Sequence, residues 1–197
     1  MIELFAITDD PAPPAPPLRA VRCDGLTALC APAEPREATP EALWRHEELV
    51  EELMAGRDLL PVRYGTLVDD EQAAARAVAE RRDELLASLE RVRGAVELAV
   101  RIHTRVRAES PAVTSGRDYL RAKAGAFEAA KLVHEPLAAL ARDSVLPHGS
   151  EPLRAAYLVD REAVDGFVAE VSRLQSAHPD LDVLCTGPWP PYSFVER

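Results

Sequence analysis

The segment from Val96 to Val106 constrains the fold more than any other stretch of the chain. Val96, Leu98, Val100, Ile102, Thr104 and Val106 alternate with Glu97, Ala99, Arg101, His103 and Arg105. Side chains on a strand point to opposite faces in turn, so a strict period of two predicts a sheet with one buried and one polar face. Wound into a helix, the same residues would scatter their apolar groups around the whole cylinder. The buried face needs a cover, and amphipathic segments elsewhere in the chain must supply it.

The N-terminal half opens on an apolar segment. Ile2-Glu3-Leu4-Phe5-Ala6-Ile7 is apolar at nearly every position and reads as a central strand. Pro11 to Pro17 reads as a stiff loop, because proline lacks the N–H that a ladder requires. Two β-like runs follow, Leu18 to Arg22 and Leu26 to Ala31, with Asp24-Gly25 between them as a hairpin turn. Thr39-Pro40-Glu41 opens a helix, with Thr39 as cap and Pro40 in the first turn. Its inward face is expected at Leu43, Val50 and Leu53, with His46 between them. Leu59 to Gly65 reads as one strand, with Pro61 pointing to an edge. Asp69-Asp70 then introduces one long helix to Val92, and Gly94 ends it.

Beyond the alternating strand, a helix is expected from about Gly116 to Arg142, kinked near Pro136. Leu153 to Val159 reads as a strand. Val164, Phe167, Val168, Val171 and Leu174 fall at helical spacing, and Leu181 to Cys185 gives a last strand. Two rounds of interleaved strands and helices imply an α+β chain of two small ferredoxin-like open-faced sandwich domains. The boundary is expected at Arg93-Gly94, giving residues 1–93 and 94–197, with a proline- and aromatic-rich C-terminal tail on the second.

Charge and motifs narrow the function. With 23 Lys and Arg against 33 Asp and Glu, the net charge of -10 opposes binding to nucleic-acid phosphates and to anionic lipid. No apolar run approaches the ~20 residues of a membrane span, and the first residues carry no positive stretch of a signal peptide. Cys23, Cys30 and Cys185 stand at no metal-ligand spacing and read as reduced thiols of a cytoplasmic protein. The five histidines are scattered, and no phosphate-binding or nucleophile-elbow motif occurs, so no cofactor, metal or catalytic residue is expected. One row has the functional groups of a pocket floor: Glu97, Arg101 and His103. A solvated or interface-facing sheet surface is the stronger reading, with a small enzyme site the alternative.

The tail Thr186-Gly-Pro-Trp-Pro-Pro-Tyr-Ser-Phe194 sets three aromatic rings among prolines. Such a stiff segment either seals its own domain or offers an aromatic anchor to a partner. Trp189 is expected inside, with Tyr192 or Phe194 nearer the surface.

Five blocks carry a resemblance. They are Leu60-Pro-Val-Arg63-Tyr64-Gly65-Thr66, Gly94-Ala-Val-Glu97-Leu-Ala-Val-Arg101, Ser115-Gly116-Arg-Asp-Tyr119-Leu120, Ala156-Tyr157-Leu-Val159, and Thr186-Gly187-Pro-Trp189-Pro-Pro-Tyr192-Ser-Phe194. In this order they resemble the signature blocks of the gas vesicle protein F/L family. Tyr64 stands where the family pattern suggests Phe, and Pro11 to Pro17 looks like an added loop. The resemblance implies two α+β domains and a non-enzymatic assembly factor or minor component of gas vesicles. Its implied partner is the small, hydrophobic, self-polymerising shell protein. The alternative within that reading is a general scaffold for other gas vesicle accessory proteins. It marks Arg63, Tyr64, Gly65, Glu97, Arg101, Gly116, Tyr119, Tyr157, Gly187, Trp189, Tyr192 and Phe194 as motif or interface residues.

Overall fold

Seven consecutive buried residues, Ile2–Thr8 (β1), form the middle of the first sheet. Arg19–Cys23 (β2) and Leu26–Pro32 (β3) are joined by the turn Asp24-Gly25. Asp24 at φ 47° and Gly25 at φ 84° both adopt the left-handed backbone whose twist suits a tight hairpin. β3 pairs antiparallel with β1 on one side. On the other side lie two short strands, Leu60–Pro61 (β4) against Ile7 and Ala6, and Leu67–Val68 (β5) against Glu3 and Ile2. The single strand expected over Leu59 to Gly65 is therefore interrupted. Val62 N–H still reaches Phe5 O (2.8 Å) and Leu4 N–H reaches Thr66 O (2.9 Å), so only Arg63, Tyr64 and Gly65 leave the ladder. The structure is a computed structural model and describes residues 1–35, 37–104, 131–146 and 153–195.

Three helices cover this sheet. Pro40–Gly56 (α1) packs on β1, Glu71–Glu80 (α2) on β2 and β3, and Arg82–Val92 (α3) on β4. Thr39 caps α1 through the Ala42 N–H (3.3 Å) and Asp70 caps α2 through the Ala73 N–H (2.7 Å), each worth about 1 kcal/mol. The inner stripe of α1 is His46, Val50, Leu53 and Met54: Val50 and Leu53 lie inside as expected, while Leu43 does not and His46 takes its place. Leu43 lies in the first turn and stays exposed, while positions 46, 50, 53 and 54 fall on the face turned to β1. The long helix expected to Val92 is also two helices. Arg81, at φ -112° and ψ 16°, interrupts it and lets its N–H close a tighter turn on Val78 O (3.3 Å).

The second sheet has the order β7-β8-β6-β9, from Ala95–Thr104 (β6), Asp143–Val145 (β7), Leu153–Asp160 (β8) and Leu181–Trp189 (β9). Residues 131–138 are helical (α4), and the earlier part of the helix expected from Gly116 lies outside the described residues. Val164–Ala177 forms α5. Elements therefore follow one another as β6-α4-β7-β8-α5-β9, the split β-α-β plan of a ferredoxin-like unit. The short β7 was not foreseen; three residues carry too little periodicity to read. Leu98, Val100 and Ile102 of β6 face Val133 and Leu137 of α4 and Phe167, Val171 and Leu174 of α5. The alternation noted in the sequence thus does what a period of two requires.

Two compact units result: Met1–Ala95 together with Pro190–Arg197, and Val96–Trp189. The sequence reading put the terminal block on the second unit. Pro190 and Pro191 are buried and Phe194 is fully buried in the first, because the Arg91 guanidinium of α3 donates to Phe194 O and holds the last turn there.

Candidate functional site

The detour Arg63-Tyr64-Gly65 is organised by two polar groups buried beneath it. Glu3 on β1 and His46 on α1 are both 2% exposed. His46 Nε2 lies 2.8 Å from Val62 O and therefore carries the hydrogen. Its Nδ1 lies 3.3 Å from Glu3 Oε1 without completing an aligned hydrogen bond, and that oxygen accepts the Gly65 N–H at 3.0 Å. Phe5 stacks on the imidazole (centroids 4.7 Å apart) and Tyr64 meets it edge-on (5.7 Å). The block from Leu60 to Thr66 is thus a strand edge tied to α1 through side chains, with Arg63 exposed and Tyr64 half-buried. A cavity of about 120 Å³ beside it is lined by Phe5, Ala42, Arg45, His46 and Leu49, well below the usual 300–1,000 Å³ of a cofactor site.

On the second sheet, Glu97, Arg101 and His103 do share one strand face, but they do not form an open row. Glu97 is buried, while Arg101 and His103 are exposed. Glu97 sits opposite Trp189 in the register of β6 and β9, and Gly187-Pro188 bulges out between that pair and Ala99↔Thr186. Gly187 has φ 122°, and a Cβ on it would lie 2.8 Å from Glu97 O. Tyr157 is buried in the core against Phe167 (centroids 5.2 Å), its hydroxyl 2.8 Å from His134 Nδ1. Burial raises its phenol pKa, so it serves as a neutral core group. Gly116 and Tyr119 lie outside the described residues.

The aromatic tail reverses the expected order of burial. Trp189 is 38% exposed, with Nε1 donating to Thr186 Oγ1 (3.2 Å), whereas Phe194 is wholly enclosed. Trp189 ends an edge strand and has sheet on one side only; Phe194 follows two buried prolines into the first unit's core. Between them Tyr192 faces the Glu47 carboxyl of α1, although its buried hydroxyl completes no aligned hydrogen bond. Burial pushes the Glu47 carboxyl up, and the Tyr192 hydroxyl and His46 partly oppose the shift.

Among the described residues no group of three His, Cys, Asp or Glu could hold a metal, and no helix is long and apolar enough to cross a membrane. Burial raises the thiol pKa of Cys30 and of Cys185, which favours the protonated thiol over the nucleophilic thiolate. What the surface offers instead is Trp44. This side chain is 69% exposed on α1 beside the exposed Leu43, with Glu41, Glu48 and Glu52 also exposed. The sequence reading passed over it; a tryptophan off the apolar stripe of an acidic helix was the available signal.

The chain matches the family described as Gas vesicle synthesis protein GvpL/GvpF over residues 4–132 and 121–196. It is 30% identical to gas vesicle protein F of Streptomyces sp. (strain CB03234), across 93% of this chain and 90% of that one. With gas vesicle protein L of the same organism the identity is 31%, across 79% and 69%. The crystal structure of GvpF from Anabaena sp. PCC7120 superposes with a TM-score of 0.85 at 19% identity, covering 100% of this chain and 96% of that one. GvpF from Microcystis aeruginosa gives 0.82 at 18%, covering 100% and 99%. Both likenesses establish the fold, α+β with two sheets, and the sequence matches go further: the chain belongs to the GvpL/GvpF family of gas vesicle synthesis proteins.

Proposed function

We propose that this chain is a non-catalytic factor of gas vesicle formation, acting in the cytoplasm, that binds the small hydrophobic shell protein and covers its apolar surface before it polymerises. Family membership supplies the process, gas vesicle formation, and supports a gas vesicle component as the partner. The observation that carries a direct apolar contact is Trp44, exposed with Leu43 on the outer side of α1. Tryptophan dominates the energetics of many interfaces, and one left in water on a helix is poorly explained by packing within its own unit. The acidic residues around it suit a rim of charges that keeps the free protein soluble. Glu97 being buried, the row Glu97, Arg101 and His103 has no catalytic part in this reading.

Capture of the purified chain on immobilised shell protein tests the proposal. Binding should persist at high salt, because screening weakens charge pairing and leaves apolar burial intact. Trp44→Ala should weaken it by about 2 kcal/mol, roughly 30-fold, without changing the melting temperature. Binding lost by about 0.5 M salt, or unchanged in Trp44→Ala, would sink the reading.

A further inference from the structure

α2, α3 and α5 each set acidic side chains against an arginine. Arg81 pairs with Glu84 and Arg93 with Glu90 at the two ends of α3, Arg173 with Glu170 on α5, and Arg19 of β2 with Glu71 of α2. α1 departs from this pattern. It carries Glu41, Glu47, Glu48, Glu51 and Glu52 against one guanidinium, that of Arg45. Among the described residues Glu41, Glu48, Glu51 and Glu52 enter no salt bridge. Glu47 and Glu51, and again Glu48 and Glu52, stand four residues apart, a spacing at which like charges repel across one helical turn.

The unbalanced charge surrounds Trp44. Residues three and four apart on a helix are surface neighbours, with Cβ atoms about 5–6 Å apart. For Trp44 these are Pro40, Glu41, Glu47 and Glu48, so each polar neighbour at that spacing is a glutamate. Glu47 is engaged by Tyr192, whereas Glu41 and Glu48 are exposed together with the indole. The face of an indole attracts a cation, and carboxylates beside it add to that attraction. An aliphatic side chain seated on the ring would leave both carboxylates without a partner. A guanidinium uses all three groups: it stacks flat on the indole, and its fork of N–H donors matches carboxylate oxygens.

We propose that Trp44, with Glu41 and Glu48, is the seat for an arginine side chain of the shell protein, an assignment that rests on the apolar capture proposed above and names what meets its central ring. The aliphatic stem of the arginine adds to the apolar contact while its head satisfies the two carboxylates. Apolar burial supplies most of the affinity, and the seat selects which segment of the partner meets α1.

Two measurements on the full chain separate this assignment from the reading beneath it. On immobilised shell protein at about 0.05 M salt, the double variant Glu41→Gln, Glu48→Gln should be captured about fivefold more weakly than the parent. The changes are isosteric and at exposed positions, so the melting temperature should stay the same. By about 0.5 M salt, where the screening length is about 4 Å, the difference should close with both proteins still bound. In the second measurement, NMR follows the indole N–H signals during titration with acetyl-Leu-Arg-Leu-amide and with its citrulline counterpart, which keeps the shape and lacks the charge. The Trp44 signal should move at least about threefold further with the arginine peptide, with the Trp189 signal as the control. Failure of all capture would refute the shell protein as partner and, with it, as the source of the arginine. Equal capture of parent and double variant at low salt, or equal shifts with the two peptides, would overturn the arginine seat while leaving apolar capture standing.

Discussion

Replacing Phe194 with alanine removes the fully buried aromatic ring that the terminal block contributes to the first unit. The ring is wholly enclosed, and the backbone around it is held by the Arg91 guanidinium and by two buried prolines, so little collapse can refill the space. Truncation of a core phenylalanine costs about 3–5 kcal/mol. For a unit of about 100 residues each kcal/mol lowers the melting temperature by roughly 4–8 °C, so a fall of at least about 12 °C is expected. Trp189→Ala is the internal control: its side chain is 38% exposed and ends an edge strand, and its loss should move the transition far less. Differential scanning calorimetry on both variants, with near-UV circular dichroism to follow the aromatic environment, reads the result. If Phe194→Ala melts within about 2 °C of the parent, or Trp189→Ala is the more damaging change, the seating of the tail in the first unit is wrong.

Two further expectations come from single side chains. Burial raises the Glu47 carboxyl, so between its unfolded and folded pKa the native state binds more protons than the unfolded one, and stability falls as pH rises through that window. Glu47→Gln should accordingly melt higher than the parent at neutral pH and the same in acid; a lower melting temperature at neutral pH would show that the contact with Tyr192 outweighs burial. Gly187→Ala combines a φ of 122° with a Cβ 2.8 Å from Glu97 O and should cost on the order of 1–3 kcal/mol; thermal unfolding indistinguishable from the parent would contradict the bulge geometry.

Much of the architecture was legible because it is local. The period of two in β6, the Asp24-Gly25 turn, the Thr39 and Asp70 caps and the stripe of α5 are each written in a few neighbouring residues. What misled was decided at a distance. The choice of His46 over Leu43 for the inner face of α1 depends on Glu3, Phe5 and Val62, which no helical wheel includes. Likewise Arg63-Tyr64-Gly65 leaves its strand to meet the buried Glu3 and His46. The ranking of Trp189 and Phe194 failed for the same reason: the tryptophan was expected inside, whereas position in the sheet left it at an edge. A family likeness could mark these residues as special; only their partners explain why.

The first unit is assembled from both ends of the chain, with residues 96–189 intervening. This has a consequence for synthesis. When Ala95 leaves the ribosome, the place that Phe194 will fill has no occupant, and translation at about 5–20 residues per second must continue for several seconds more before one can arrive. Until then the N-terminal sheet and its helices lack the ring that closes their core, whereas the inserted unit has all four strands of its sheet among the described residues once Trp189 has emerged. The order of completion is therefore the reverse of the order in which the two units begin.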